Sequence, residues 1–225
     1  GTSVINRAGW VGRFNYTFDN KYIAEVSTRV DASTNFAPSH RYGVFPSGSL
    51  AWRVTEENFF KNWKTPITNL KIRASYGTLG NDQANSSYPY LQSYSLYSSP
   101  VAYIGGNNVK GLYPSSLPNT DLTWERSRTF NAGFDLELWN GLLGAEFDGF
   151  YKVTSNILTS VSSTYPPSVG GYYPSTVNSG KVDVGGYEPV LNHRHKIGDF
   201  NYSVKGNIRW ANNRIISIDE SVGIP

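Results

Sequence analysis

A chain of 225 residues without a single cysteine has no disulfide framework, no thiolate metal site and no Cys nucleophile. Its formal charge of +3 is small and its basic residues are dispersed, which argues against a nucleic-acid surface, and no run approaches the ~20 apolar residues of a membrane helix. Aromatic residues, led by Tyr, make up 15% of the chain, which suits either a glycan- or peptide-binding surface or the interfacial girdles of a membrane barrel.

Alternation decides between those readings, because about eight segments carry apolar side chains on one face and polar ones on the other. The first, over about 10–18, sets Trp10, Gly12, Phe14, Tyr16 and Phe18 against Val11, Arg13, Asn15 and Thr17, and Asp19-Asn20-Lys21 reverses the chain. The second, about 21–31, sets Tyr22, Ala24, Val26, Thr28 and Val30 against Glu25, Ser27, Arg29 and Asp31. A third covers about 42–54, with Gly48, Leu50, Trp52 and Val54 outward, Ser47, Ser49 and Arg53 inward, and a bend or bulge expected at Pro46. Residues 55–68 break the pattern and read as a short helical turn before the fourth strand, about 69–77. A stretch rich in Tyr, Ser, Gly, Asn and Pro, 78–121, is far longer than ordinary loops.

The fifth strand, about 123–138, points Phe130, Ala132, Phe134, Leu136 and Leu138 outward, and Asn140-Gly141 is a strong hairpin signal. The sixth returns through Leu143, Ala145, Phe147, Gly149 and Tyr151, followed by a second long loop, 154–179. A seventh, about 180–192, is interrupted by Gly185-Gly186 and Pro189, and residues 193–199 read as a turn. The eighth has Phe200, Tyr202, Val204, Gly206, Ile208 and Trp210 on one face against Asn201, Ser203, Lys205, Asn207 and Arg209 on the other.

A strand that is cationic on one face and apolar on the other needs water on one side and hydrocarbon on the other, as in the wall of a water-filled barrel. Connections after odd strands are short and those after even strands long, apart from 55–68, which matches short periplasmic turns and long extracellular loops. Phe18, Tyr22, Trp52, Trp139 and Tyr202 fall near the short-turn rim, and Trp10, Tyr42, Tyr76, Tyr151 and Trp210 near the other. The fold class that follows is all-β, an antiparallel meander forming part of a large transmembrane barrel. Two alternatives are a self-contained small outer-membrane barrel with a structural or adhesion role and a soluble Tyr-rich glycan-binding β-sandwich. The first requires closure between strands one and eight; the second predicts neutral inward faces.

Specific strings add to this pattern. Arg29-Val30-Asp31-Ala32-Ser33-Thr34-Asn35-Phe36 and Arg41-Tyr42-Gly43-Val44-Phe45-Pro46-Ser47-Gly48-Ser49-Leu50-Ala51-Trp52-Arg53 resemble a signature of SusC/RagA-like TonB-dependent outer-membrane transporters of Bacteroidota. Leu70-Lys71-Ile72-Arg73-Ala74-Ser75-Tyr76-Gly77-Thr78-Leu79-Gly80-Asn81 is similar to a second family segment. Asn119-Thr120-Asp121-Leu122-Thr123-Trp124-Glu125 is similar to a third, with Thr120 where Pro is usual, and Gly185-Gly186-Tyr187-Glu188-Pro189 departs from the family pattern. The resemblance implies a barrel of about 22 strands around an N-terminal plug. It also implies a SusD-like surface lipoprotein as partner, TonB acting through an N-terminal region outside this chain, and import of an oligomeric nutrient, glycan in preference to peptide. Residues 1–225 would then be a partial barrel domain without plug or closing strands.

Arg13, Arg29, Asp31, Arg53, Arg73, Asp135, Glu137, Glu146 and Asp148 are the candidate lumen-facing polar residues, for substrate contact or for ion pairing within the wall and against a plug. Tyr88, Tyr90, Tyr94, Tyr97, Tyr103, Tyr165, Tyr172 and Tyr173 are candidate substrate contacts, which could equally pack loops together or meet a lid protein. His193 and His195 would share a face on a strand, but a turn there and the lack of a third ligand argue against a metal. No catalytic constellation and no cofactor site is recognised, so the chain is not expected to be an enzyme.

Overall fold

The computed structural model describes residues 4–160 and 173–217. In chain order the elements are β1 (Arg7–Phe18), β2 (Tyr22–Ser33), β3 (Tyr42–Arg53), a 3-10 turn (Val54–Glu56), α1 (Asn58–Lys61) and β4 (Ile67–Asn81). The first long loop carries β5 (Ser93–Leu96), β6 (Ala102–Ile104), β7 (Asn107–Val109) and β8 (Leu112–Ser116). Then come β9 (Glu125–Leu138), β10 (Leu143–Ser155), the short β11 (Leu158–Thr159) and β12 (Val177–Asn178), β13 (Lys181–Ile197), β14 (Phe200–Asn207) and β15 (Trp210–Ser217).

The long strands form one antiparallel sheet in the order β1-β2-β3-β4-β9-β10-β13-β14, with β15 also on β13. That is the meander expected for a barrel wall. Among the described residues β1 and β14 lie at opposite edges and do not pair, so the self-contained barrel lacks its closure, and a single sheet leaves no second layer for a sandwich.

Register makes the two faces explicit. Tyr16, Ala24, Leu50, Ala74, Ala132, Gly149, Tyr187 and Trp210 stand in one row across all eight strand positions. The adjacent row on the opposite face runs Asn15, Glu25, Ser49, Ser75 and Asn131. A one-residue slip anywhere would invert every side chain of that strand, so burial in two different solvents fixes the register. Outward side chains have no protein to cover them: Phe14, Val26, Leu50, Val204 and Ile208 are each at least 60% exposed. Phe134, Phe147, Tyr187 and Trp210 stack in sequence across β9, β10, β13 and β15, with centroids 5.9, 6.3 and 5.3 Å apart.

Several local expectations change. Pro46 pairs with Thr28 without a register shift; the β3–β4 ladder instead stops at Ser47, beside the residue that lacks an N–H. Val54 is not an outward strand residue but lies buried in the 3-10 turn. The turn through Asn140 is centred on Trp139 and Asn140, with φ of 49° and 54°, and Gly141 follows at 85°. Both central residues are left-handed, as a tight hairpin on a right-twisted sheet requires.

The largest difference is β13, which runs through the Gly185-Gly186 and Pro189 interruptions to Ile197. Gly186 is needed for close approach, since a Cβ there would stand 2.3 Å from the Trp210 carbonyl oxygen and 2.8 Å from the Phe150 ring. The turn shrinks from 193–199 to Gly198 and Asp199. Pro189 also explains why the eighth strand divides into β14 and β15: the break at Ile208-Arg209 faces the residue that cannot donate, while Ile208 N still donates to the Pro189 carbonyl at 3.1 Å.

This wall predicts that Val204→Arg lowers stability in a bilayer by roughly 2–4 kcal/mol if the site lies near the midplane, whereas Ser203→Arg on the opposite face is close to neutral. Unfolding of the inserted barrel in denaturant measures both.

Candidate functional site

The lumen face is organised around a strand with a missing side chain. Arg73 of β4, Gly133 of β9 and Asp148 of β10 share one register row. With only hydrogen at position 133, the Arg73 guanidinium reaches across β9 and donates to both Asp148 oxygens, Nη2 to Oδ2 at 2.6 Å. A Cβ at Gly133 would stand 2.7 Å from Asp148 Oδ1 and 2.3 Å from the Phe147 carbonyl oxygen. Arg73 Nε also donates to Asp135 at 3.1 Å, and Lys71 lies 3.6 Å from the same carboxylate. Elsewhere on this face Arg13 faces Glu25 at 3.6 Å, Arg29 pairs with Asp31 at 2.7 Å, and Arg53 donates to Asn20 at 2.6 Å. Glu137 and Glu146 share the face without an ion pair among the described residues.

At the long-loop rim, strings far apart in sequence converge on one buried cluster of Phe36, Phe45, Leu122 and Trp124. Phe45 points inward from β3 into space left by two glycines: a Cβ on Gly80 would lie 2.0 Å from its ring and one on Gly43 2.5 Å. Trp124 meets Phe45 edge-on at 5.4 Å and Phe36 at 5.1 Å, and its Nε1 donates to the Arg41 carbonyl at 3.2 Å. Asn35 Nδ2 donates to the Asp82 carbonyl at 3.0 Å, and Arg7 pairs with the Asp82 carboxylate at 2.7 Å. Beside the cluster opens a lumen-side concavity of about 600 Å³, bordered by Arg7, Arg13, Arg29, Asp31, Asp82 and Trp124. Guanidinium donors and carboxylate acceptors above an aromatic floor suit a ligand rich in hydroxyl or amide groups. Alternation assigns Arg13, Arg29 and Asp31 to this face but does not single out Arg7, Asp82 or Trp124. The family strings are the signal that could have found them, since most of these residues belong to the strings or adjoin them.

The two long loops are joined above this rim. Asn85 N donates to Thr176 Oγ1 at 3.0 Å, Asn119 Nδ2 to the Thr176 carbonyl at 3.0 Å, and Ser86 and Ser175 share a hydrogen bond of 2.6 Å. The candidate tyrosines divide accordingly. Tyr88 and Tyr90 pack against each other, Tyr88 also donates to the Val4 carbonyl, and Tyr97 packs on Tyr113 at 4.6 Å. Tyr173 accepts from Leu117 N through its carbonyl at 3.1 Å. Tyr94 and Tyr103 stand out from the β5–β8 and β6–β7 hairpins, 64% and 72% exposed. Tyr165 and Tyr172 lie outside the described residues.

The opposite rim holds the one connection that is too long for a simple turn. Its 3-10 turn and α1 fold back so that Glu57 accepts from the Tyr22 hydroxyl at 2.6 Å and the Trp52 indole at 3.1 Å. Those two hydrogen bonds, Tyr22 first, hold the Glu57 carboxyl below its ordinary value.

A one-sheet wall with an apolar outer face, an ionic inner face, and turns and long loops at opposite rims is part of the wall of an outer-membrane β-barrel. The chain belongs to the family described as "TonB dependent receptor-like, beta-barrel", which matches residues 2–223. It is 33% identical to TonB-dependent receptor P3 of Formosa agariphila over 93% of its length and 20% of that protein's. It is 31% identical to TonB-dependent receptor SusC of Bacteroides thetaiotaomicron over 93% of its length and 21% of that protein's. The chain thus spans about a fifth of the curated relatives it matches. Among solved structures it superposes on the RagAB peptide transporter with a TM-score of 0.82 at 24% identity, covering 97% of this chain and 23% of that one. The siderophore receptor PirA of Pseudomonas aeruginosa, at 14% identity, gives 0.57 over 96% and 35% of the two chains.

Two outcomes follow. Trp124→Ala should cost about 3–5 kcal/mol locally, read as faster amide exchange confined to the 33–45 and 119–126 segments. Because the folded Glu57 carboxyl titrates below its ordinary value of 4.5, its contribution is complete above that pH and fades as pH falls through the folded value. Glu57→Gln should therefore flatten the acid limb of the melting temperature against pH; an unchanged limb would show that other carboxylates set it.

Proposed function

We propose that this chain forms wall and extracellular loops of a TonB-dependent importer that takes up an oligomeric nutrient, glycan in preference to peptide. In this reading a SusD-like surface lipoprotein covers the long-loop rim, and TonB supplies energy through an N-terminal region outside these residues. The observation that carries it is the coupling of the two long loops, by hydrogen bonds between 85–119 and 175–176, at the rim whose lumen side holds the concavity bordered by Arg7, Arg13, Arg29 and Asp82. Cargo arriving at that rim meets Tyr faces, Ser and Asn hydrogen-bonding groups, and then guanidinium and carboxylate groups on the way down. Tyr faces stack on sugar rings, while Ser and Asn adapt to hydroxyl patterns.

The preference for glycan rests on the resemblance to SusC-like transporters; the relative named a peptide transporter supports the fold, and peptide is the second cargo to test. The exposed Leu96, Val101, Tyr103 and Ile104 of the projecting hairpins form an apolar edge suited to the lid protein more than to sugar.

The test is uptake by cells carrying the full-length receptor with 83–119 or 157–178 replaced by a Gly/Ser linker, while the barrel still inserts. Either replacement should abolish growth on the glycan cargo. Undiminished uptake in both would assign the tyrosines to loop packing alone, and loss of peptide uptake only would reverse the cargo preference.

A further inference from the structure

The lipid-facing side of the wall carries a depression near its short-turn rim. Phe18, Tyr22, Trp52 and Ile72 form one register row across β1 to β4 there. The next row on the same outward face is Tyr16, Ala24, Leu50 and Ala74. Ala24 and Ala74 are short beside the rings and branched chains around them, so the surface drops on either side of Leu50 and leaves an apolar groove of about 440 Å³. The central strands β2, β3 and β4 already have neighbours on both sides, so no further strand enters between them.

The rim end of the groove is polar and ordered. Tyr22 and Trp52 stack with ring centroids 6.5 Å apart and planes 10° from parallel, and the polar atoms of both donate to Glu57. The charged groups around Glu57 therefore sit at the tips of two outward side chains. Lys21 Nζ lies 2.7 Å from Asp19 and 3.6 Å from Glu57, one ammonium between two carboxylates. Asp19, in the left-handed turn between β1 and β2, keeps its side chain 62% exposed. Three N–H donors on Lys21 against two carboxylates leave a donor to spare, and the second carboxylate leaves a surplus of negative charge. An apolar groove in hydrocarbon that ends at the interface in a spare N–H donor and a surplus carboxylate is complementary to an acyl chain joined to a phosphate and a terminal ammonium.

We propose that this groove binds a phospholipid of the periplasmic leaflet whose headgroup ends in a primary ammonium, as phosphatidylethanolamine does. One acyl chain lies over Ala24 between Tyr16 and Leu50, and the Tyr22–Trp52 stack carries the glycerol region. Lys21 donates to the phosphate, and the headgroup ammonium donates to Asp19. An anionic headgroup without an ammonium meets the surplus carboxylate, and a quaternary ammonium has no N–H to donate. The site is separate from the cargo reading, because it opens to lipid and not to the lumen.

The experiment uses the full-length receptor in detergent, incubated with equal amounts of phosphatidylethanolamine, phosphatidylcholine and phosphatidylglycerol of identical acyl chains, with retained lipid counted by native mass spectrometry. The wild type should retain phosphatidylethanolamine over each of the others by roughly threefold to fivefold, the weight of one exposed charged contact. Asp19→Asn/Glu57→Gln should bring it down to the level of phosphatidylcholine, while Gln at position 57 still accepts from Tyr22 and Trp52. Ala24→Phe fills the groove floor and should lower retention of phosphatidylethanolamine, whereas Val204→Phe, which adds a ring to the same face on β14, should keep the wild-type pattern. Equal retention of the three lipids by the wild type, a preference for phosphatidylglycerol, or a preference that survives either groove variant would overturn the proposal. Equal losses in Ala24→Phe and Val204→Phe would assign the retained lipid to the wall at large and overturn it as well. If Ala24→Phe does not give a heat-modifiable barrel, Ala24→Leu is read the same way.

Discussion

A backbone amide in hydrocarbon has no water to bond, so each strand of this wall requires a paired neighbour on both sides. That constraint accounts for the uninterrupted antiparallel order from β1 to β14 and for the length of β13, which keeps pairing through two glycines and a proline. It also explains how the eighth strand tolerates a break. Only the donor that Pro189 lacks is missing, and Ile208 still bonds to the Pro189 carbonyl. Side chains then follow from the pleat, apolar to lipid and polar to the lumen.

Within the lumen the limiting factor is space. Gly133 gives up its side chain so that Arg73 can bridge to Asp148 over β9, tying three strands with one guanidinium. Gly43 and Gly80 do the same for Phe45, whose ring occupies the volume their side chains would take. Both arrangements put a large side chain over a glycine on a neighbouring strand. The lumen wall is thereby stiffened by contacts between strands, since a soluble core is not available to an open sheet with water on one side.

The two rims have different chemistry. The long-loop rim combines a small aromatic core with hydrogen bonds that join loops 90 residues apart, which gives that rim a defined shape. The short-turn rim fixes interfacial aromatics by their polar atoms, Tyr22 and Trp52 through Glu57 and Tyr202 through His193.

Strand identity and facing are legible in the sequence because parity is local: a period of two assigns each side chain to a face without knowledge of any partner. Alternation alone thus puts Arg13, Arg29, Asp31, Arg73, Asp135 and Asp148 on the lumen face. The family strings likewise mark Phe36, Phe45, Leu122 and Trp124, though not their contact. What parity cannot supply is the register between strands, and everything that depends on register is decided by the tertiary structure. That includes the reach of Arg73 over Gly133, the convergence of the rim cluster across about 90 residues, and the projection of His193–Ile197 as strand where local composition suggests a turn. Glycine, proline and histidine look like breakers one at a time; here the hydrogen bonds of neighbouring strands, on both sides as far as His193 and from β14 alone beyond it, override them, and no local window contains those partners.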